Sequence, residues 1–220
     1  LYTLPAPVAE VFDSYLHEAG QEHPRIRGRG DLSWWMLATI TPELPGDAAS
    51  WKPASALLPE QGLAILRDGD RYVSLECGEH GGGHGHPDRL HLTLHSGGRH
   101  WLADPGTGSY VSPDLFWYRS TLAHNAPRVD GVSQPMADAR AEMFDVRGRW
   151  GWARGRFDRL TRTVVAGPAH LVDVLEFADD HEHLVELPWH PEGVVEMISP
   201  GRWEPAELED GFAHGAERFV

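Results

Sequence analysis

The sequence predicts a mainly β protein, an antiparallel β-sandwich preceded by two helices. Three observations carry that expectation. From residue 61 onward, short apolar runs recur with turn residues between them, the texture of a sandwich or barrel. Before residue 45 the apolar spacing is helical instead. Between the two lies PELPGDAASWKPASALLPE, rich in Pro, Gly and Ala, which reads as a crossing between domains.

Residues 5–19 place Val8, Val11, Phe12, Tyr15, Leu16 and Ala19 on one helical face, and Gly20 ends the run. Asp31 suits the N-cap of a second helix, Leu32 to about Ile40, closed by Thr41-Pro42. Two lone helices cannot bury a core, so residues 1–45 read as the terminal helices of a helical domain. The Arg29-Gly30-Asp31 tripeptide reads as a chance match at that N-cap. Residues 46–60 read as a linker and residues 61–220 as the β domain. Within it, Leu63–Leu66, the Asp68-Gly69-Asp70 turn and Tyr72–Leu75 form a hairpin. Leu90, Leu92 and Leu94 alternate with His91, Thr93 and His95, a strand with one wet face. Ser96-Gly97-Gly98 turns the chain into Trp101–Ala103. Further strands are expected at 126–129, 144–146, 150–153, 160–165, 171–177, 184–189 and 194–198, with Asp179-Asp180 as a hairpin turn. Trp150, Trp152 and Trp189 fall in strand patterns and are expected in the core.

The 220 residues carry a formal net charge of −14, which argues against a nucleic-acid partner, since a phosphate binder needs a basic face. No apolar run is long enough to span a bilayer as a helix. The single Cys77 excludes an internal disulfide and a cysteine-based zinc site. The chain starts at Leu1 rather than Met and is expected to be a piece of a longer polypeptide.

Residues 79–131 concentrate the chemistry: His80, His84, His86, His91, His95, His100 and His124, with Asp88 and Asp104. In His84-Gly85-His86, two imidazoles at i and i+2 share one face of an extended backbone, about 7 Å apart at Cα. Pro87 favours the extended form of His86. Asp104 closes the strand Trp101–Ala103, and His124 stands in Ala-His-Asn. His86, Asp104 and His124 together make a two-nitrogen, one-oxygen set that zinc accepts, with water or a substrate oxygen completing a tetrahedron. On residue types alone, metal and no metal are equally open. His80, His91, His95 and His100 read as surface or hydrogen-bonded imidazoles. Asp88 reads as a turn cap, or as the partner that orients a ligand imidazole. Trp117 and Arg119 suit sugar stacking and carboxylate pairing, and equally packing under a loop.

The run from Gly85 to Gly131 resembles the heparinase II/III-like family of polysaccharide lyases. The residues that carry the resemblance are Gly85-His86-Pro87-Asp88 with Leu90, Gly97-Gly98-Arg99, Asp104-Pro105-Gly106-Thr107, Tyr118-Arg119-Ser120-Thr121, and Ala123-His124-Asn125 with Val129-Asp130-Gly131. The resemblance implies an N-terminal α/α toroid followed by an antiparallel β-sandwich, with the active cleft between them. Residues 1–45 would then be the tail of that toroid, whose remainder would be the missing partner of this domain. It implies a zinc ion (Zn2+, or another divalent metal) on His86, Asp104 and His124, and a catalytic His84. Trp117 and Arg119 would contact the substrate. The implied reaction is β-elimination at a uronic acid of an anionic polysaccharide, in a periplasmic or secreted enzyme. The toroid would supply the Tyr and the Asn or His that share the proton transfers, so the fragment is expected to be inactive alone. The alternative is a non-catalytic sandwich module that binds metal or carbohydrate. A cupin-like oxygenase is disfavoured, because Arg89-Leu90-His91 stands where that pattern wants a Glu after the second His.

Overall fold

The computed structural model describes residues 53–194, 196 and 200–206, with the backbone alone at 206 and 216–219. The helices expected over 5–19 and 32–40, the RGD tripeptide and most of the strand expected at 194–198 lie outside the described residues.

Period-two alternation does what the sequence analysis expected: it builds two antiparallel sheets that face each other. Strands β1 (Ala56–Leu58), β2 (Leu63–Asp68), β3 (Arg71–Glu76), β4 (Leu92–Ser96) and β5 (Arg99–Leu102) form one sheet in that order. Strands β7 (Arg140–Arg147), β8 (Trp150–Phe157), β9 (Leu160–Ala166) and β10 (Leu171–Phe177) form the other, ordered β10-β9-β8-β7. Between them in sequence come the short helix α1 (Leu115–Tyr118) and strand β6 (Arg128–Val129), which pairs with β11 (Val185–Glu186). A separate pair is β12 (Trp203–Ala206) with β13 (Ala216–Phe219). Strand β1 lies inside the stretch whose composition suggests a linker.

The inward faces meet in one core. Ala64, Leu66, Val73, Leu75, Leu92 and Leu102 from the first sheet pack against Ala153, Phe157, Leu160, Val164 and Ala166 from the second. The sheets approach closely at Gly155, where a Cβ would lie 2.8 Å from Cys77 Cβ and from Leu90 Cδ2. Cys77 sits in this core, and burial pushes its thiol up to about 11, which leaves it an inert hydrophobe.

Four sequence expectations change. Trp150 and Trp189 are not core residues; they are 42% and 45% exposed. Trp150 stacks edge-on against His170, and Trp189 lies over the Arg162 guanidinium. Asp179-Asp180 does not turn a hairpin, because β11 pairs with β6 rather than β10. The strand expected from Leu90 begins at Leu92, since Leu90 takes φ 65°. The supposed wet face around His91 is covered: residues 121–128 are all buried over it, and His91 is 5% exposed.

Inside the second sheet, Leu160, Arg162 and Val164 point inward together, all nearly or fully buried. Arg162 forms two bonds to Asp173 of β10, at 2.9 and 2.6 Å. Its remaining donor group reaches the Leu90 carbonyl at 2.8 Å and the Asn125 carbonyl at 2.7 Å. Replacing Arg162 by Met leaves a buried carboxylate and two carbonyls unpaired, so urea unfolding is expected to show a loss of about 3–5 kcal/mol. Adding Asp173→Leu is expected to recover only part of it, because the two carbonyls stay bare.

Candidate metal centre

Two segments supply the chemistry, and the sheets hold both. The first runs from Gly78 to His91 between β3 and β4. Its closing turn is fixed by His91 N donating to the Asp88 carbonyl at 2.9 Å and Leu90 N donating to the Glu76 carbonyl at 2.7 Å. Arg89 is buried beneath it and donates to Glu76 Oε1, to the Gly78 and Glu79 carbonyls, and to Asp88 Oδ1 at 2.6 Å. The second runs from Ala103 to Pro127, from the end of β5 to the start of β6. Its Asn125 is fully buried and fully engaged. Its side chain donates to the Ala103 carbonyl at 3.0 Å and accepts from His190 N at 2.8 Å. Its carbonyl also accepts from Leu92 N at 3.2 Å. These bonds pin the backbone on either side of His91 and directly after His124.

His124 is the centre of the arrangement and is 0% exposed. Its Nε2 lies 3.0 Å from the Tyr118 carbonyl, which can only accept, so Nε2 carries a hydrogen. The lone pair of neutral His124 is therefore on Nδ1. That atom faces Asp104 Oδ2 at 3.3 Å and Asp88 Oδ2 at 4.0 Å. A lone pair opposite a carboxylate is stable only with a cation between them, either a proton or a metal ion. Burial alone would lower the His124 pKa, but the bond to Asp104 and the charges of Asp88 and Asp104 outweigh it and hold it above the ordinary imidazole value. Burial pushes Asp104 up, yet the bond from His124, the neighbouring His91 and the Gly106 N–H together bring it down to about 2.

The residues singled out from the sequence gather here in part. His86 is half-buried with Nδ1 3.3 Å from His124 Nε2, on the ring edge away from Asp104. His86 and Asp104 thus flank His124 rather than meeting at one point. Burial and then His124 hold the His86 pKa below its usual value. The donor atoms that lie within 4.8 Å of one another belong to His91, Asp104 and His124. His84 is exposed, at the end of a 3₁₀ turn over Gly82–His84, with Nδ1 3.0 Å from the Tyr110 hydroxyl. Arg119 caps α1 and donates to the Gly83 carbonyl at 3.1 Å, tying the two segments together beside His84. Trp117 is half-buried, with its ring edge-on to His190 at 6.4 Å.

His95 and His100 stack on each other at the exposed β4–β5 hairpin, apart from the centre. His80 packs its ring where a Cβ on Gly85 would fall, 2.9 Å away. Asp88 closes the turn through its backbone carbonyl, and its carboxylate is bonded to Arg89 with the other oxygen 4.0 Å from His124 Nδ1. Sequence reasoning missed His91, Asn125 and His190. Asn125 had a signal, as the neighbour of His124 in Ala-His-Asn; His91 was hidden by an alternation that a covered face shares with a wet one.

Comparison with known proteins places this geometry. Residues 52–174 match the model of the family described as heparinase II/III-like, C-terminal. No match was found among curated proteins. Among solved structures, a heparan sulfate lyase HepC mutant from Pedobacter heparinus shares 15% identity at TM-score 0.59, covering 83% of this chain and 30% of that one. A heparinase III gene product shares 15% identity at TM-score 0.65, covering 96% of this chain and 38% of that one. Another heparinase III structure shares 20% identity at TM-score 0.60, covering 72% of this chain and 28% of that one. The chain therefore spans roughly a third of the length of these structures, and at such identity they bear on the fold alone. With the family model matched over more than half its residues, this chain belongs to the heparinase II/III-like family and carries that family's C-terminal β domain.

Proposed function

We propose that the chain forms one wall of the active site of a polysaccharide lyase that cleaves an anionic, uronate-containing polymer by β-elimination. The observation that supports this most is the joining of the two functional segments: His84 and His86 on one, Arg119 and His124 on the other, in contact through Arg119–Gly83 and His86–His124. In β-elimination a base takes the C5 proton beside the uronate carboxylate, the C4–O4 bond breaks, and O4 leaves with a proton from an acid. The carboxylate must be neutralised as charge builds on it. His84, exposed and held by Tyr110, is placed to touch the substrate. Arg119 brings a positive charge to a chain of net charge −14, and Trp117 offers an aromatic surface. The remaining proton-transfer groups belong to the toroid of the full-length protein, and a periplasmic or secreted setting fits a polymer substrate. Alone, the 220-residue chain is expected to release no unsaturated product from heparan sulfate, alginate or hyaluronan. New ultraviolet absorbance from such product would overturn the division of labour.

The same reading assigns a zinc ion to His86, Asp104 and His124. The His124 lone pair opposed to the Asp104 carboxylate fits a cation. The 3.3 Å between His124 Nδ1 and Asp104 Oδ2 matches the roughly 3.3 Å between two ligand atoms on a tetrahedral zinc, and His86, now against the other edge of the ring, would turn toward them to complete the set. Bound there, the ion would tie the two segments together and leave His84 free for substrate. Zinc content measured by mass spectrometry is expected to fall at least about tenfold in His86→Ala and in Asp104→Ala; unchanged content in both would sink the assignment.

Acid should release the metal, since protonated His124 cannot ligate. Zinc affinity is expected to fall by about tenfold per pH unit once pH drops below the His124 pKa, which lies above 6.5. Titration calorimetry across pH 5–8 checks both the direction and the midpoint. A midpoint well below 6.5 would remove His124 from the ligand set.

A further inference from the structure

Resting on that zinc reading, we infer that His91 is not a zinc ligand but the buried donor that holds Asp104 in place for the ion. By proximity alone the opposite choice is available, because His91, Asp104 and His124 have donor atoms within 4.8 Å of one another.

The hydrogen bonds decide between the two. The backbone N–H of Asn125 donates to His91 Nδ1 at 3.1 Å. That N–H is itself buried and has no other direction to go, since Asn125 is pinned by the bonds of its side chain and carbonyl. Nδ1 therefore offers a lone pair, and in a neutral ring the hydrogen is on Nε2. A ligating imidazole has the reverse pattern: the free nitrogen carries a hydrogen and donates it outward while the other binds metal. For His91 to ligate through Nε2, a hydrogen on Nδ1 would point at the hydrogen of Asn125 N. An imidazolium would also carry a hydrogen on Nδ1, facing the Asn125 N–H, so the same contact keeps the ring neutral.

What Nε2–H faces gives the role. Thr93 Oγ1 lies 3.2 Å away and Asp104 Oδ2 3.5 Å away. Asp104 is otherwise an exposed carboxylate just past the end of β5, with its other oxygen held, among the described residues, by the Gly106 N–H at 2.7 Å. His91 thus bonds Thr93 Oγ1 through the same nitrogen that stands 3.5 Å from the Asp104 oxygen facing His124, and its N–H dipole favours the carboxylate there. It is a positioning residue, acting through Asp104, and it leaves His86 as the second imidazole of the centre.

Nitrogen-15 NMR of histidine-labelled full chain, before and after zinc, tests this directly. Metal-free protein is expected to show His91 protonated at Nε2 and bare at Nδ1, and zinc is expected to leave that proton in place while shifting the His86 and His124 nitrogens. The other tautomer, or loss of the Nε2 proton on zinc binding, overturns the inference while leaving the zinc reading intact. Failure of the unaltered chain to take up zinc overturns both. Variants give a second readout: His91→Leu should weaken zinc binding about 10- to 100-fold, and His91→Gln, which keeps a donor, should bind more tightly than His91→Leu. Equal affinity in the three proteins also overturns it.

Discussion

The buried guanidinium of Arg162 is the interaction on which the placement of the site depends. It starts in the middle of β9, in the core of the sandwich, and ends on the backbone of the two functional segments. One side is clamped by Asp173, and the other holds the carbonyls of Leu90 and Asn125. Those residues directly precede His91 and follow His124. A charge taken out of water this completely is costly unless every donor is used. Here the four bonds and the Trp189 ring absorb it. The consequence is positional. The second sheet fixes two imidazoles that belong to loops of the first, at carbonyls that no substitution of the imidazoles themselves would remove.

Charge balance at the centre follows from that rigidity. Two carboxylates, Asp88 and Asp104, look toward one buried imidazole nitrogen. Asp88 is already bonded to Arg89, which is buried and also engages Glu76. Burial pushes Glu76 up to about 7 even with Arg89 beside it, so near neutrality that carboxyl is only partly ionised. Among the described residues Asp104 has no arginine partner, and its negative charge is what calls for a cation at His124. A proton on His124 Nδ1 fills that need, and in the zinc reading proposed above the ion would take its place.

The sandwich was legible because alternation is a direct record of which face is buried. The β2–β3 hairpin and strands β9 and β10 fall where the apolar pattern puts them, whereas β7 and β8 run well beyond the expected 144–146 and 150–153. The pattern misled where burial had a polar cause. His91 alternates like a solvent-facing residue, yet its face is roofed by residues 121–128, and alternation cannot tell a polar roof from water. Trp150 shares the outward phase of β8 with Trp152, Arg154 and Arg156, and Trp189 falls in no strand; their rings lie at the surface against His170 and Arg162. Asp179-Asp180 looks like a hairpin turn, but β6 offers β11 a partner that no local signal announces. Asp104 and His124, with His86 against the far edge of the His124 ring, were singled out by residue type and motif. The hydrogen-bond roles of Asn125 and His91 needed the fold.

Arg162 and Asp173 left a quieter mark in the sequence. Leu160, Arg162 and Val164 hold one phase of β9, and Leu171, Asp173 and Leu175 hold one phase of β10. A cation and an anion each interrupt an inward apolar series, and the two strands are neighbours in antiparallel register, with Leu175 opposite Arg162 and Val164 opposite Asp173. An inward charge on one strand is a cost; opposite inward charges on adjoining strands are a designed pair. The left-handed backbone at Leu90 belongs to the same construction. A buried leucine at φ 65° is strained, and it persists because its N–H is held by Glu76 and its carbonyl by Arg162. That turn stops β4 from extending backward and swings His91 under the second segment, where its ring can meet both Asn125 and Asp104. Strain at Leu90 is thus the local cost of placing His91, and the ion pair in the opposite sheet is what keeps it there.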